Sequence, residues 1–125
     1  MSKQEHWLDD VEEHDYAAAQ EYLSLFMDDD RAKRLSQLLS SATGDIRWFK
    51  AKDILRASGL PALPESNAHV NKDFRKIKNG EKLSPVLLLR GNPSTPLPLI
   101  IADGYHRVCA SYLLDENAEI PAKIL

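Results

Sequence analysis

The chain has 125 residues, 43% of them hydrophobic and 28% charged, with a formal net charge of −3. These figures fit one domain of ordinary size with room for a modest core. No uninterrupted apolar run approaches the roughly 20 residues of a spanning helix, and the single Cys109 excludes an internal disulfide. The opening MSKQEHWLDD lacks the basic-then-apolar pattern of a signal peptide, so a cytoplasmic protein is expected.

Charge is unevenly spread. Residues 1–30 hold ten acidic side chains against Lys3, a net of −9, and residues 31–125 carry a net of +6. The excess lies mostly between Arg47 and Arg90, in Lys50, Lys52, Arg56, Lys72, Arg75, Lys76, Lys78 and Lys82. A mildly basic body suits an anionic ligand such as a nucleotide or, further down, a nucleic acid, and before either a solvated face balanced by its own acidic N-terminus.

In chain order, Tyr16–Met27 reads as a short helix capped by Asp15, with Tyr22, Leu23, Leu25, Phe26 and Met27 making its end apolar. Asp28–Asp30 open a second helix, where the dipole favours carboxylates. Its stripe is Ala32, Leu35, Leu38 and Leu39, and Gly44 stops it. This helical hairpin has one face to bury, against the rest of the chain, a second copy or another protein.

From Asp45 the texture changes. Ile46, Trp48 and Phe49 suggest a strand entering a short helix at Asp53–Ser58, and Gly59–Ser66 is a loop. A helix from about Asn67 carries Val70, Phe74 and Ile77 and ends at Gly80. Val86–Leu89 is a buried strand, Gly91–Pro98 a turn, and Leu99–Ala102 the returning strand. Tyr105–Leu114 is a helix with Val108, Cys109, Tyr112 and Leu113 on one face, and Ile120–Leu125 closes the chain as a strand. The fold class is α+β: a small mixed sheet with packed helices, preceded by the helical hairpin. The expected domains are 1–45 and 46–125.

One motif carries chemistry. In Leu99-Ile-Ile-Ala-Asp-Gly-Tyr-His-Arg-Val-Cys-Ala110 a strand runs through Asp103-Gly104 straight into a helix. Glycine allows a sharp turn and close ligand approach. The free N–H groups of the helix's first turn favour an anion. Arg107 can clamp phosphate oxygens and His106 can donate or shuttle a proton. Each residue also has a plain role: Asp103 as helix cap, Gly104 as turn, His106 as a surface histidine. Arg107 could equally pair with Asp103 or with an acidic side chain of the N-terminal segment.

The segment resembles the ParB/sulfiredoxin superfamily. Ile77-Lys-Asn-Gly80, Leu83-Ser-Pro-Val-Leu-Leu-Leu89, Ile101-Ala-Asp-Gly-Tyr-His-Arg107 and Glu119-Ile-Pro-Ala-Lys-Ile124 follow that family's order. Ile54-Leu55-Arg56 is similar to its opening segment, so the resemblance covers about residues 46–125. It implies a helix N-terminus that binds nucleotide phosphates, with Gly104, Tyr105, His106 and Arg107 around the phosphate and Arg56 as a second contact. Family activities include reduction of cysteine sulfinic acid, free-serine kinases and CTP-binding partition proteins. Tyr105 stands where sulfiredoxin has its reactive cysteine, and a phenol cannot replace a thiol there. Cys109, one turn deeper, reads as a buried core residue. No helix-turn-helix follows the motif, so nucleic acid is not the expected partner.

Two functions are carried forward. One is a phosphotransferase using ATP or another nucleotide with Mg²⁺ on a small hydroxyl acceptor, with Asp103 and His106 catalytic. The other is a non-catalytic module that senses a nucleotide or binds a protein partner, as a homodimer or through its N-terminal helices.

Overall fold

The computed structural model describes residues 6–41, 46–91 and 99–125. Two N-terminal helices, α1 (Glu13–Leu23) and α2 (Asp29–Ser41), precede β1 (Ile46–Lys50), α3 (Ala51–Ser58) and α4 (Ala68–Lys78). The chain continues through β2 (Val86–Arg90), β3 (Leu99–Asp103), α5 (Tyr105–Leu114) and β4 (Glu119–Ile124). No helix among the described residues is long and apolar enough to cross a membrane.

The four strands form one mixed sheet in the order β1-β4-β2-β3. β4 pairs antiparallel with β1 and parallel with β2, and β2 pairs antiparallel with β3. β2 is nearly all apolar because helices cover both its faces. Val86 and Leu88 join α3, α4 and α5 in one core, and Leu87 and Leu89 join α1 and α2 in another. β3 alternates the same way: Leu99 and Ile101 face the first core, Ala102 the second. The N-terminal hairpin is therefore one layer of a three-layer stack and buries its face on its own chain.

The segment before α1 is bound in as well. Trp7 bridges Leu83 and is buried in the first core. The Leu8 N–H donates to Leu83 O at 2.8 Å, and the Leu83 N–H to His6 O at 2.9 Å.

Several expected details change. α1 starts at Glu13, with Glu12 as its N-cap, and ends at Leu23. Asp15 is no cap: it lies inside the first turn and is buried. The face of α1 on the sheet is Tyr16, Ala19 and Leu23, a stripe at helical spacing. Tyr22, Leu25 and Phe26 lie off that stripe and are exposed, Leu25 by 79%. Leu38 is exposed for the same reason, because α2 buries Ala32, Ser36 and Leu39. Leu113 likewise leaves the buried face of α5. The opening of α2 is as expected, with Asp28 Oδ1 accepting the Arg31 N–H at 2.8 Å. Asn67 caps α4, its side chain accepting from the His69 and Val70 N–H groups at 3.0 and 3.1 Å. The expected stop at Gly44 and residues 92–98 of the expected turn lie outside the described residues.

Between the sheet and α1 sits a buried lysine. Lys123 of β4 is only 1% exposed, and its Nζ donates to the Tyr16 hydroxyl at 2.7 Å. The Asp10 carboxylate lies 3.8 Å away. The alternation of the last strand points this side chain at the N-terminal layer, which supplies its partners.

Candidate functional site

β3 enters α5 through Gly104, whose φ of 106° and ψ of 15° place it in the left-handed region. A β-carbon there would meet Val86 Cγ1 at 2.5 Å and Arg107 Nη2 at 2.9 Å. The fold itself therefore demands glycine, for its backbone angle and for packing on β2. Gly104 is also the N-cap, a place where Asp103 was one expectation. It has no side chain to cap with, so the orphan N–H groups of the first turn are not satisfied from that position. The first backbone bond of the helix runs from the Val108 N–H to Gly104 O at 3.0 Å.

Asp103 is occupied elsewhere. Its Oδ2 accepts from Arg107 Nη2 at 2.9 Å, and the same nitrogen lies 3.3 Å from Asp15 Oδ2. Both pairings weighed for Arg107 in the sequence are thus present together. Ser84 completes the group, donating its hydroxyl to Asp15 Oδ2 at 2.7 Å and accepting the Glu12 N–H at 3.0 Å. The Asp15 side chain is 4% exposed and that of Arg107 16%. Arg107 Nε is buried without a hydrogen-bond partner among the described residues. Burial pushes the Asp103 carboxyl above its ordinary range; Arg107 opposes that shift and Asp15 adds to it.

His106 points toward α4. Its ring stacks on His69 with centroids 4.8 Å apart, and on Tyr105 at 5.6 Å. Burial lowers the His106 pKa, and His69 lowers it further. Asp73, one turn after His69 on α4, is half-buried, and desolvation raises its carboxyl pKa against the pull of Arg107, Lys76 and His106.

Tyr105 and Cys109 hold the loop ahead of α4. The Tyr105 hydroxyl donates to Pro61 O at 2.5 Å, and the Leu63 N–H donates to Cys109 Sγ at 3.5 Å. Cys109 is fully buried and burial pushes its thiol pKa up, as suits a core residue and not a nucleophile.

The structure thus gathers Asp103, Gly104, Tyr105, His106 and Arg107 around one turn. Arg56 stands apart from that cluster: its side chain is 85% exposed and pairs with Asp53 on its own helix at 3.2 Å. Three neighbours, His69, Asp73 and Ser84, were missed in the sequence, and Asp15 was foreseen only as one of the acidic side chains of the N-terminal segment. His69 and Asp73 were the more findable, since a spacing of four places them on one helical face. Asp15 and Ser84 reach the turn only through the tertiary fold. Among the described residues, no group of three or more His, Cys, Asp or Glu is arranged to hold a metal ion. Compared with family models, with curated proteins and with solved structures, the chain finds no match.

Proposed function

We propose that this chain is a ParB/sulfiredoxin-like protein that binds the phosphate of a nucleotide at the first turn of α5. The observation that carries the reading is the strand-to-helix passage through left-handed Gly104, which leaves the helix N-terminus without a side-chain cap. An anion there gains from the orphan N–H groups and from the positive end of the helix dipole. His106, on the same turn, can donate from its ring.

Arg107 acts from behind the turn, because two carboxylates already hold its guanidinium. The Asp103 carboxylate is bonded to Arg107, which leaves it poorly disposed as a lone metal ligand or general base. Any Mg²⁺ would accordingly arrive with the nucleotide. Phosphoryl transfer to a small hydroxyl acceptor is the chemistry this reading extends to, with His106 to orient or neutralise the phosphates.

The pairing of Arg107 Nη2 with two carboxylates favours a second reading. In it the same residues are a buried staple between α1 and α5, and the chain is a non-catalytic binding module. Calorimetric titration with ATP, ADP, CTP and GTP, each with Mg²⁺, tests the first reading. Binding of any of them, followed by turnover with a hydroxyl compound such as serine, supports the enzyme. Binding without turnover supports a nucleotide-sensing module, and no binding leaves the staple alone.

A further inference from the structure

Between α4 and the first turn of α5 lie three ionisable groups that no contact described for the fold employs. The rings of His69 and His106 come from different helices and stack 4.8 Å apart, tilted by 36°. Asp73 shares a helical face with His69 and interacts electrostatically with His106. It makes no hydrogen bond or ion pair with any described residue. A half-buried carboxylate without a hydrogen bond, acting on His106 and drawn most strongly by the charge of Arg107, has a role open to it: to hold His106 as a cation.

The groups facing His106 can be named from each side. α4 presents His69 and Asp73, and α5 presents Tyr105 and Arg107. Behind Arg107 stand Asp103 and Asp15, and Lys72 and Lys76 act on Asp73 from its own helix. In the free protein, burial and the neighbouring imidazole both oppose protonation of His106. Protonation of His106 is therefore disfavoured in the free protein.

We propose that His69, Asp73 and His106 form a proton-linked contact for a phosphate-type dianion. The anion, seated against the first turn of α5, draws one proton from solvent onto an imidazole nitrogen, and Asp73 holds the imidazolium. No covalent bond changes; the proton comes from the buffer and returns to it on release. This rests on the phosphate-binding reading and adds to it two residues of α4 and the proton.

Sulfate is the probe, because it is a tetrahedral dianion that does not itself titrate near neutral pH. Calorimetry of the full chain with sulfate, in two buffers of different ionisation enthalpy, counts the protons taken up. The expected result is uptake approaching one proton per sulfate, with affinity falling by up to about tenfold per pH unit between the pKa of the free state and that of the bound state. His106→Gln is expected to bind more weakly and with no proton uptake. Asp73→Asn is expected to shift the pH profile to lower pH. His69→Gln, at an exposed position, is the variant least able to disturb the fold, and a lowered proton count is expected there too. Sulfate binding without proton uptake overturns this proposal and leaves the phosphate-binding reading standing. Absence of sulfate binding from about pH 5.5 to pH 8, with nucleotides also failing to bind, overturns both.

Discussion

Asp15 of α1 places a carboxylate oxygen 3.3 Å from Arg107 Nη2 of α5, across 92 residues of chain. That nitrogen also meets Asp103 at 2.9 Å, and Ser84 of the segment before β2 donates to Asp15 at 2.7 Å. One buried polar group thus joins the acidic N-terminal layer, the sheet and the motif helix. The charge asymmetry of the sequence is resolved in part within the molecule.

Removing Arg107 is therefore a structural change before it is a functional one. Arg107→Ala leaves two largely buried carboxylates without their cation, a loss of about 3–5 kcal/mol. Arg107→Lys keeps the charge but not the planar fork, and is expected to fall between. Chemical denaturation measures both; a loss under about 1 kcal/mol for Arg107→Ala would contradict the staple.

Gly104→Ala meets two penalties at once. The left-handed backbone costs an L-residue about 1–2 kcal/mol. Its β-carbon, 2.5 Å from Val86 Cγ1, adds about 1–3 kcal/mol of overpacking. A loss of about 2–5 kcal/mol is expected in denaturant unfolding, and a neutral substitution would mean that the turn relaxes freely.

The buried Lys123 gives a paired test. Tyr16→Phe removes the oxygen that accepts from Nζ at 2.7 Å, leaving Asp10 at 3.8 Å as the remaining partner. A loss of about 1–3 kcal/mol follows from an unsatisfied buried donor. Lys123→Met in the Tyr16→Phe background is expected to recover much of that loss, since an apolar side chain of similar volume needs no partner. Equal stability of the single and double variants would contradict this.

Asp73 sets a pH signature. Its pKa in the folded chain is raised above 3.8, so between those two values the native state binds more protons than the unfolded state. Its contribution to stability therefore falls as pH rises through that window and stays low above it. Asp73→Asn is expected to melt higher than the parent at pH 7, with the advantage vanishing on acidification below the unfolded pKa. Melting temperatures across about pH 3–7 check this; a constant difference would contradict it.

Much of the fold could be read from local signals. The unbroken apolar run of β2, the helix start near Asn67 and the break at Asp103-Gly104 each act within a few residues, and each marks an element or its boundary in the structure. The helical pair was legible too, and Ala32 and Leu39 of the expected stripe of α2 are buried, but the stripe of α1 was not legible. Tyr22, Leu25 and Phe26 look like core by composition, and only the direction in which α1 meets the sheet decides for Tyr16, Ala19 and Leu23. Asp15 was misread for a related reason: a local cap and a long-range ion pair use the same residue type at the same kind of place. At the site, adjacency in the chain brought Asp103 through Arg107 into view together. His69 and Asp73 stayed hidden because the packing of α4 on α5 brings them there, and Arg56 was carried by resemblance alone.

The first turn of α5 is the proposed seat of a phosphate-bearing ligand. The most direct measurement is an amide NMR titration of the full chain with ATP. The largest shifts are expected on the backbone N–H signals of Tyr105, His106 and Arg107, with His69 following as α4 responds. Shifts confined to the exposed basic side of α4, around Lys72 and Arg75, or none anywhere, would contradict it.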